Sequence, residues 1–426
     1  MGNKNLDIRG WNLDFRYFLF SIFYLLTSTT LNAQNELNTY LEIGAENNPG
    51  LKAKFSVYNA ALEKVPQVGS LPDPTISFGY FISPVETRVG PQQAKFGISQ
   101  MFPWFGTLNA KEAVVIERAK AKYEAFEEEK SKLFFDIKSA YFNIYFVKKG
   151  IAITRENLAI LSTFQQLALI KLETGKASAV DEMRVEMEIN ELENQLAYLI
   201  DTKWALEVQF NKLLNQPVEN SIVTPDVLWD DILTMSKETL LDSITNNNHL
   251  VKQLEYKIAS FQKQEIAAKK MGAPKFSIGV DYILVGNSSN PNLGSENGKD
   301  AILFPKIGIT IPLYRKKYKA MIKEASLYME ATQFKKEDKQ NQLIILFEKG
   351  YKDYKDGERR IVLFEKQLKL AEKSLAILLT AYSTNSQNFE EVLRMERKVL
   401  KYALEQDKAR ADKNAAAAFI NYLLGR

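Results

Sequence analysis

The sequence predicts a mainly helical fold with a small strand component, laid out as two tandem copies of one unit. The prediction rests on three observations. Short motifs recur: Pro74, Ile76, Ser77 and Gly79 return as Pro274, Phe276, Ser277 and Gly279, and Thr174, Arg184 and Glu186 return as Thr384, Arg394 and Glu396. The offset grows from roughly 200 to roughly 210 residues along the chain, which puts a longer loop between the strand-like segments of the second copy. Two proline-free stretches, Thr107 to Leu172 and Tyr314 to Tyr382, are each long enough for a continuous helix on the order of 100 Å, far beyond a globular core. Ahead of each lies a pair of segments that alternate apolar and polar residues with period two, the mark of a strand with two unlike faces.

The chain opens with Lys4, Arg9 and Arg16, then the apolar run from Tyr17 to Leu26, then small polar residues ending Leu31-Asn32-Ala33-Gln34. A basic start, a short apolar core and Ala before a polar residue describe a secretory signal peptide over 1–33, with cleavage after Ala33. With no cysteine in the chain, an acyl-anchored lipoprotein is excluded. No later segment has the roughly 20 uninterrupted apolar residues of a transmembrane helix, so an exported chain either floats or inserts as strands.

Composition removes most catalytic chemistry. The absence of cysteine and the single histidine, His249, exclude thiolate sites and histidine clusters, and His249 near a helix start reads as a surface or capping residue. The 56 Lys and Arg and 52 Asp and Glu are intermixed along helical stretches, which describes solvated faces and no nucleic-acid partner. No nucleophile, base and orienting group converge at any motif, so no enzyme, catalytic residue, cofactor or metal site is expected. Met183 and Met187, one turn apart, read as packing residues.

In order, the first repeat (34–236) is expected to hold a helix, a β-hairpin at about 75–102, a long helical hairpin at about 107–214 and a connector, 215–236, marked by Pro217, Pro225 and Trp229. The second (237–426) repeats helix, β-hairpin at about 275–312 and long helical hairpin at about 314–424. In the strands, Ile76, Phe78, Tyr80 and Ile82, then Phe96 and Ile98, and in the second copy Phe276, Ile278, Val280, Tyr282 and Leu284, then Ile307, Ile309 and Ile311, alternate with small or polar residues. Such alternation suits a lipid-facing barrel strand and equally a half-buried sheet of a soluble domain. Ser83 to Pro91 and Gly286 to Asp300, rich in Pro, Gly, Asn and Ser, are expected hairpin loops. Four strands cannot close a membrane barrel, so a barrel here has to be shared between chains, and a three-fold ring supplies about twelve strands.

Along the second long helix, Ile361, Phe364, Leu368, Ala371, Leu375, Leu378 and Tyr382 fall at spacings of three and four, a heptad stripe. Ile151, Thr154, Leu158, Leu161, Gln165, Ala168 and Leu172 keep the same register in the first copy, while Ile153, Ile160 and Leu167 lie on a further face. More than one packing face describes a helix set between neighbours, as in a tube of helices. Each long helix ends in a compact turn, Thr174 to Ser178 and Thr384 to Asn388, where Gly or Asn permits a left-handed cap and Ser178 or Asn388 caps the return helix.

Signal peptide, tandem helix–hairpin–helical-hairpin units, Leu71-Pro-Asp-Pro74 before the first strand and Phe102-Pro-Trp-Phe-Gly106 after the second together resemble the TolC family of outer-membrane efflux channels across nearly the whole mature chain. The resemblance implies a homotrimer: a twelve-stranded outer-membrane β-barrel continuous with a periplasmic α-barrel, acting as a passive duct. Its implied partners are outer-membrane lipid, a periplasmic adaptor and an inner-membrane pump of the RND or another type, and its implied place is the outer membrane of a Gram-negative bacterium. It also implies a gate at the periplasmic end, where Asp181, Tyr382 and Glu391 look like family gate residues. Gln387 departs from the family's gate arginine, and Arg394 stands where a second acidic ring is expected. Thr174, Gly175, Lys176 and Ala177, with Asn385, Ser386 and Gln387, are the turn residues that would meet the adaptor. The Pro-Asp-Pro and Phe-Pro-Trp-Phe segments look like the branch that serves heavy-metal pumps. The competing expectation is a secreted or periplasmic coiled-coil scaffold without a pore.

Overall fold

The structure is a computed structural model that describes residues 31–175, 178–289, 291–383 and 389–426; most of the expected signal peptide lies outside these. Helices α1 (Leu31–Asn47) and α2 (Pro49–Gly69) lead into strands β1 (Thr75–Thr87) and β2 (Gly90–Phe102), then the long helix α3 (Thr107–Glu173) and its return α4 (Ala179–Leu213). The second copy runs α5 (Lys237–Asn247), α6 (His249–Met271), β3 (Lys275–Val285), β4 (Ala301–Thr310), the long helix α7 (Arg315–Ser383) and its return α8 (Phe389–Leu423). The described part of α1 starts at Leu31, so the expected cut after Ala33 falls in its first turn.

Duplication is visible in matching hydrogen bonds. Asn48 caps α2 by accepting the Leu51 N–H (3.0 Å), and Asn248 caps α6 by accepting the Leu250 N–H (2.9 Å). Each amide also donates to a carbonyl at the end of a return helix, Asn48 to Leu213 (2.9 Å) and Asn248 to Leu423 (2.8 Å). One side chain thus settles orphan groups at two helix ends at once.

With 67 and 69 residues, α3 and α7 are each about 100 Å long. In the half next to the strands the helices pack in the order α2, α3, α6, α7, and in the other half in the order α4, α3, α8, α7. The result is a wall four helices wide. Its middle is held by Ile137, Tyr141, Ile144 and Tyr145 of α3 against Phe210 of α4, Leu214 just past its end, and Ile222 and Leu228 of the connector. The second copy answers with Phe347 and Tyr354 of α7 against Leu240, Ile244 and Ile420. Ala416, Ala417 and Ala418 let α8 approach its neighbours closely, and Asn414 ties it to the connector by donating to the Trp229 carbonyl (2.9 Å). His249 is more than a capping residue: it bridges Glu124 (Nδ1 to Oε2, 2.7 Å) and the Gly425 carbonyl (3.3 Å), joining α6, α3 and the C-terminus.

The four strands form one antiparallel sheet in the order β1-β2-β3-β4. Phe78 faces Phe96 and Phe96 faces Tyr282, so one face carries Ile76, Phe78, Tyr80, Phe96, Ile98, Ile278, Tyr282, Ile307 and Ile309, all exposed. The other carries Ser77, Gly79, Gly97, Ser99, Ser277, Gly279 and Gly308. The expected loop Ser83 to Pro91 is mostly strand. After a register shift, Val85, Glu86 and Thr87 pair with Gln92, Pro91 and Gly90, leaving a tight turn that Gly90 makes at φ 135°. Among the described residues, no helix is long and apolar enough to cross a membrane.

Candidate functional site

The sequence-derived site lies where α3 turns into α4 and α7 into α8, at the end of the wall far from the sheet. Gly175 takes the left-handed conformation (φ 69°) that closes α3, and the Thr174 hydroxyl bonds the Ile170 carbonyl (3.0 Å). Ser178 then starts α4 as expected: its hydroxyl accepts the Val180 N–H (3.1 Å), and Asp181 accepts the Ser178 N–H (3.4 Å), a capping box. Of the remaining expected residues, Lys176, Ala177, Asn385, Ser386, Gln387 and the cap Asn388 lie outside the described residues.

Tyr382 is buried near the end of α7, with its ring 4.9 Å from that of Phe389. Phe389 in turn meets Phe164 of α3, and Leu161, Val185, Val392 and Leu393 complete the cluster. Burial pushes the Tyr382 hydroxyl's pKa up, and the nearby charge of Asp181 adds to this. Among the described residues that hydroxyl has no hydrogen-bond partner, so Asp181 and Tyr382 are neighbours but are not bonded.

What grips Tyr382 is Lys171, which the sequence reading did not single out. Its ammonium stands 3.8 Å from the centroid of the Tyr382 ring and donates to the Tyr382 carbonyl. A cation on a carbonyl in the last turn of α7 is favoured both by the unpaired acceptor and by the helix dipole. Two ion pairs join the return helices beside it: Arg184 to Glu390 (3.4 Å) and Arg397 to Glu188. Lys171, Arg184 and Arg397 thus each tie the first hairpin to the second at this end.

Glu391 and Arg394, expected to give the gate its charge, pair with each other one turn apart on the exposed side of α8. Asp181 likewise lies 3.8 Å from Arg184. Each acid has a base beside it, which tempers the field expected of an isolated charge. Glu396 differs. It is 3% exposed, both carboxyl oxygens lack partners among the described residues, and burial followed by repulsion from Glu156 raises its pKa. Around it are Asn157, Leu161, Glu188, Leu192, Leu393, Arg397 and Leu400. The sequence marked Glu396 only as a repeat position; a carboxylate in a heptad slot facing α3 was the available signal. The arrangement is mechanical, two hairpin ends held together by a few polar ties around an aromatic cluster.

No family model matches the chain, and no curated protein matches it by sequence. By structure it is similar to outer-membrane channels. The outer-membrane channel OprN matches at a TM-score of 0.72 and 16% identity, over 92% of this chain and 90% of that one. VceC, an outer membrane protein of Vibrio cholerae, gives 0.74 and 15% over 92% and 97%. CusC gives 0.73 and 16% over 92% of each chain. The chain shares the fold of these outer-membrane channels.

Proposed function

We propose that three copies of this chain form an outer-membrane channel, the passive exit duct of an efflux system that a periplasmic adaptor links to an inner-membrane pump. The observation that carries this reading is an imbalance between the two long helices. Among the described residues, helix α3 packs against α2 and α6 in one half and α4 and α8 in the other, whereas α7 has only α6 and α8 as flanking partners, with α5 beside it. By the repeat, α7 lacks an α2 and an α4, and a second copy of the chain has both to offer. The faces that would meet are apolar and open: Leu363, Leu370 and Ile377 recur every seven residues along α7, and Val180, Met183 and Met187 stand exposed on α4. Met183 is 58% exposed, while its repeat equivalent Leu393 is 3% exposed beneath α3. An even number of strands per copy sets β4 antiparallel to the β1 of the next copy, so three sheets close into one ring of about twelve strands.

In this assembly the apolar strand face meets lipid, and the sheet that a soluble scaffold would have to cover needs no cover. The tied hairpin ends form the periplasmic aperture, with Asp181, Tyr382, Gln387, Glu391 and Arg394 at or near it. The turns Thr174 to Ala177 and Asn385 to Gln387 offer the adaptor contact. No residue is assigned to catalysis. The likeness to CusC is no stronger than to the other channels, so the fold does not favour the metal-pump branch.

The test is fractionation of cells expressing the full chain, followed by the mass of the detergent-extracted protein and its conductance in a planar bilayer. Outer-membrane recovery as a trimer with discrete openings, altered by Glu391→Ala or Arg394→Ala, is expected. A water-soluble monomer in the periplasmic fraction would establish the scaffold reading instead.

A further inference from the structure

The small-residue face of the sheet carries one buried charge cluster. Asp281 of β3 is 1% exposed, with Lys95 of β2 at 2.6 Å from one carboxylate oxygen and Lys306 of β4 at 3.1 Å from the other. Asp281 is paired with Gly97, where an added Cβ would come within 2.5 Å of its carboxylate, so the glycine makes room for the acid. Lys306 is paired with Gly279 and Lys95 with Ile283. Three strands therefore meet at a single carboxylate, and the two ammoniums that cover it remain substantially exposed.

The charges of the strands are uneven. Besides these three, the strands carry Lys275, which alternation puts on the same face as Asp281, and Glu86, which lies beyond the register shift beside the hairpin turn. Three lysines against one aspartate leave two uncompensated positive charges on this face of each copy.

We infer that the inside of the strand ring is an anion-favouring passage, and that the cargo it suits is a small organic anion bearing carboxylate, sulfonate or phosphate groups. This rests on the channel reading, in which the small-residue face lines the lumen. A ring of about twelve tilted strands is roughly 25 Å across between backbones. Lysine side chains reach several ångströms inward from each wall, and the screening length at physiological salt is about 8 Å, so the field covers most of the opening. Threefold symmetry repeats the excess on every wall. Asp281 acts by positioning: it draws Lys95 and Lys306 together on the inner face and neutralises only one of them. Metal cations meet a repulsive ring here.

The test uses the detergent-purified full chain and the trisulfonate dye pyranine as probe, read by fluorescence anisotropy at low salt, with the reversal potential of bilayer-inserted protein under a KCl gradient as the second readout. Mass and membrane location are established first, so a soluble monomer sinks the channel reading, and this one with it, before any dye is added. For a trimer, the parent is expected to bind pyranine. Lys95→Gln with Lys306→Gln should weaken binding at least tenfold and lower the chloride-to-potassium permeability ratio roughly threefold or more. Lys275→Gln, which leaves the carboxylate cluster intact, should give a smaller change of the same sign should the double variant fail to assemble. Asp281→Asn should move the permeability ratio the opposite way. A trimer that does not bind pyranine, or one whose affinity and reversal potential are the same in parent and lysine variants, overturns the proposal.

Discussion

Replacing Lys171 by methionine removes the ammonium that binds Tyr382 while keeping an unbranched apolar stem in the same buried slot, so no large cavity confuses the result. The hydrogen bond to the Tyr382 carbonyl and the contact with its ring are both lost. A charge-assisted hydrogen bond to a carbonyl contributes about 1.5–3 kcal/mol, and a desolvated cation over an aromatic ring about 0.5–2 kcal/mol. Because the two share one side chain and their energies are not additive, about 2–4 kcal/mol per copy is the reasonable total. That is roughly a 30- to 900-fold change in the balance between a docked and an undocked α7 end. Hydrogen exchange of the α7 amides around Thr380 to Tyr382 reads this directly, and exchange should speed up by about that factor, with amides in the middle of α7 unchanged. Bilayer conductance reads the consequence: if this tie helps hold the aperture closed, the variant opens more often or more widely than the parent. Asp181→Asn is the internal comparison. Its carboxylate pairs with Arg184 at 3.8 Å on a partly exposed surface and should matter by less than about 1 kcal/mol. Unchanged exchange in Lys171→Met, or a larger effect from Asp181→Asn, would refute the assignment of Lys171 as the principal tie.

Glu396→Gln should flatten a pH dependence. Burial and Glu156 raise the folded-state pKa of Glu396, so its contribution to α3–α8 packing is fully present below the ordinary carboxyl range and is lost as pH rises through the raised value; Arg397 and Glu188 beside it pair with each other. Exchange of amides 389–400 should accelerate with rising pH more in the parent than in the variant, after correction for intrinsic rates. Asn248→Ala removes a helix cap, worth about 1 kcal/mol, and strands the Leu423 carbonyl, costing about 1–3 kcal/mol more. Chemical denaturation should give a loss in that range, with a similar one for Asn48→Ala; a loss under about 0.5 kcal/mol in both would contradict the double-ended role. Gly90→Ala should reduce the yield of assembled protein in the outer membrane, because φ of 135° disfavours a side chain and the new Cβ would lie 1.8 Å from the Gly286 carbonyl oxygen.

The architecture was legible where the pattern was periodic. Period-two alternation placed β1 through β4, and the heptad from Ile361 to Tyr382 marked the more buried face of α7. Ser178 and Gly175 were readable as caps because the chemistry of a helix end is local. The first hairpin loop was misjudged, since Pro84 and Pro91 read as loop residues while the strand pairing continues past a register shift. Lys171 was missed for a different reason. A lysine among alternating charges reads as solvated, and its burial is decided by Tyr382, 211 positions away. His249 and Glu396 likewise owe their surroundings to helices distant in sequence, which no local pattern encodes.

The missing neighbours of α7 also have a genetic consequence. In the proposed trimer, where wall and sheet are each finished by another copy, a chain alone would have no functional state, and a defective subunit would spoil every ring it enters. With parent and defective chains made in equal amounts and assembling at random, only about one ring in eight contains three sound copies. A variant such as Gly90→Ala, if it still enters the ring, should therefore act dominantly, whereas one that never leaves the monomer should be silent beside the parent. The dominance of an allele in a mixed cell then reports whether its lesion falls before or after the copies meet.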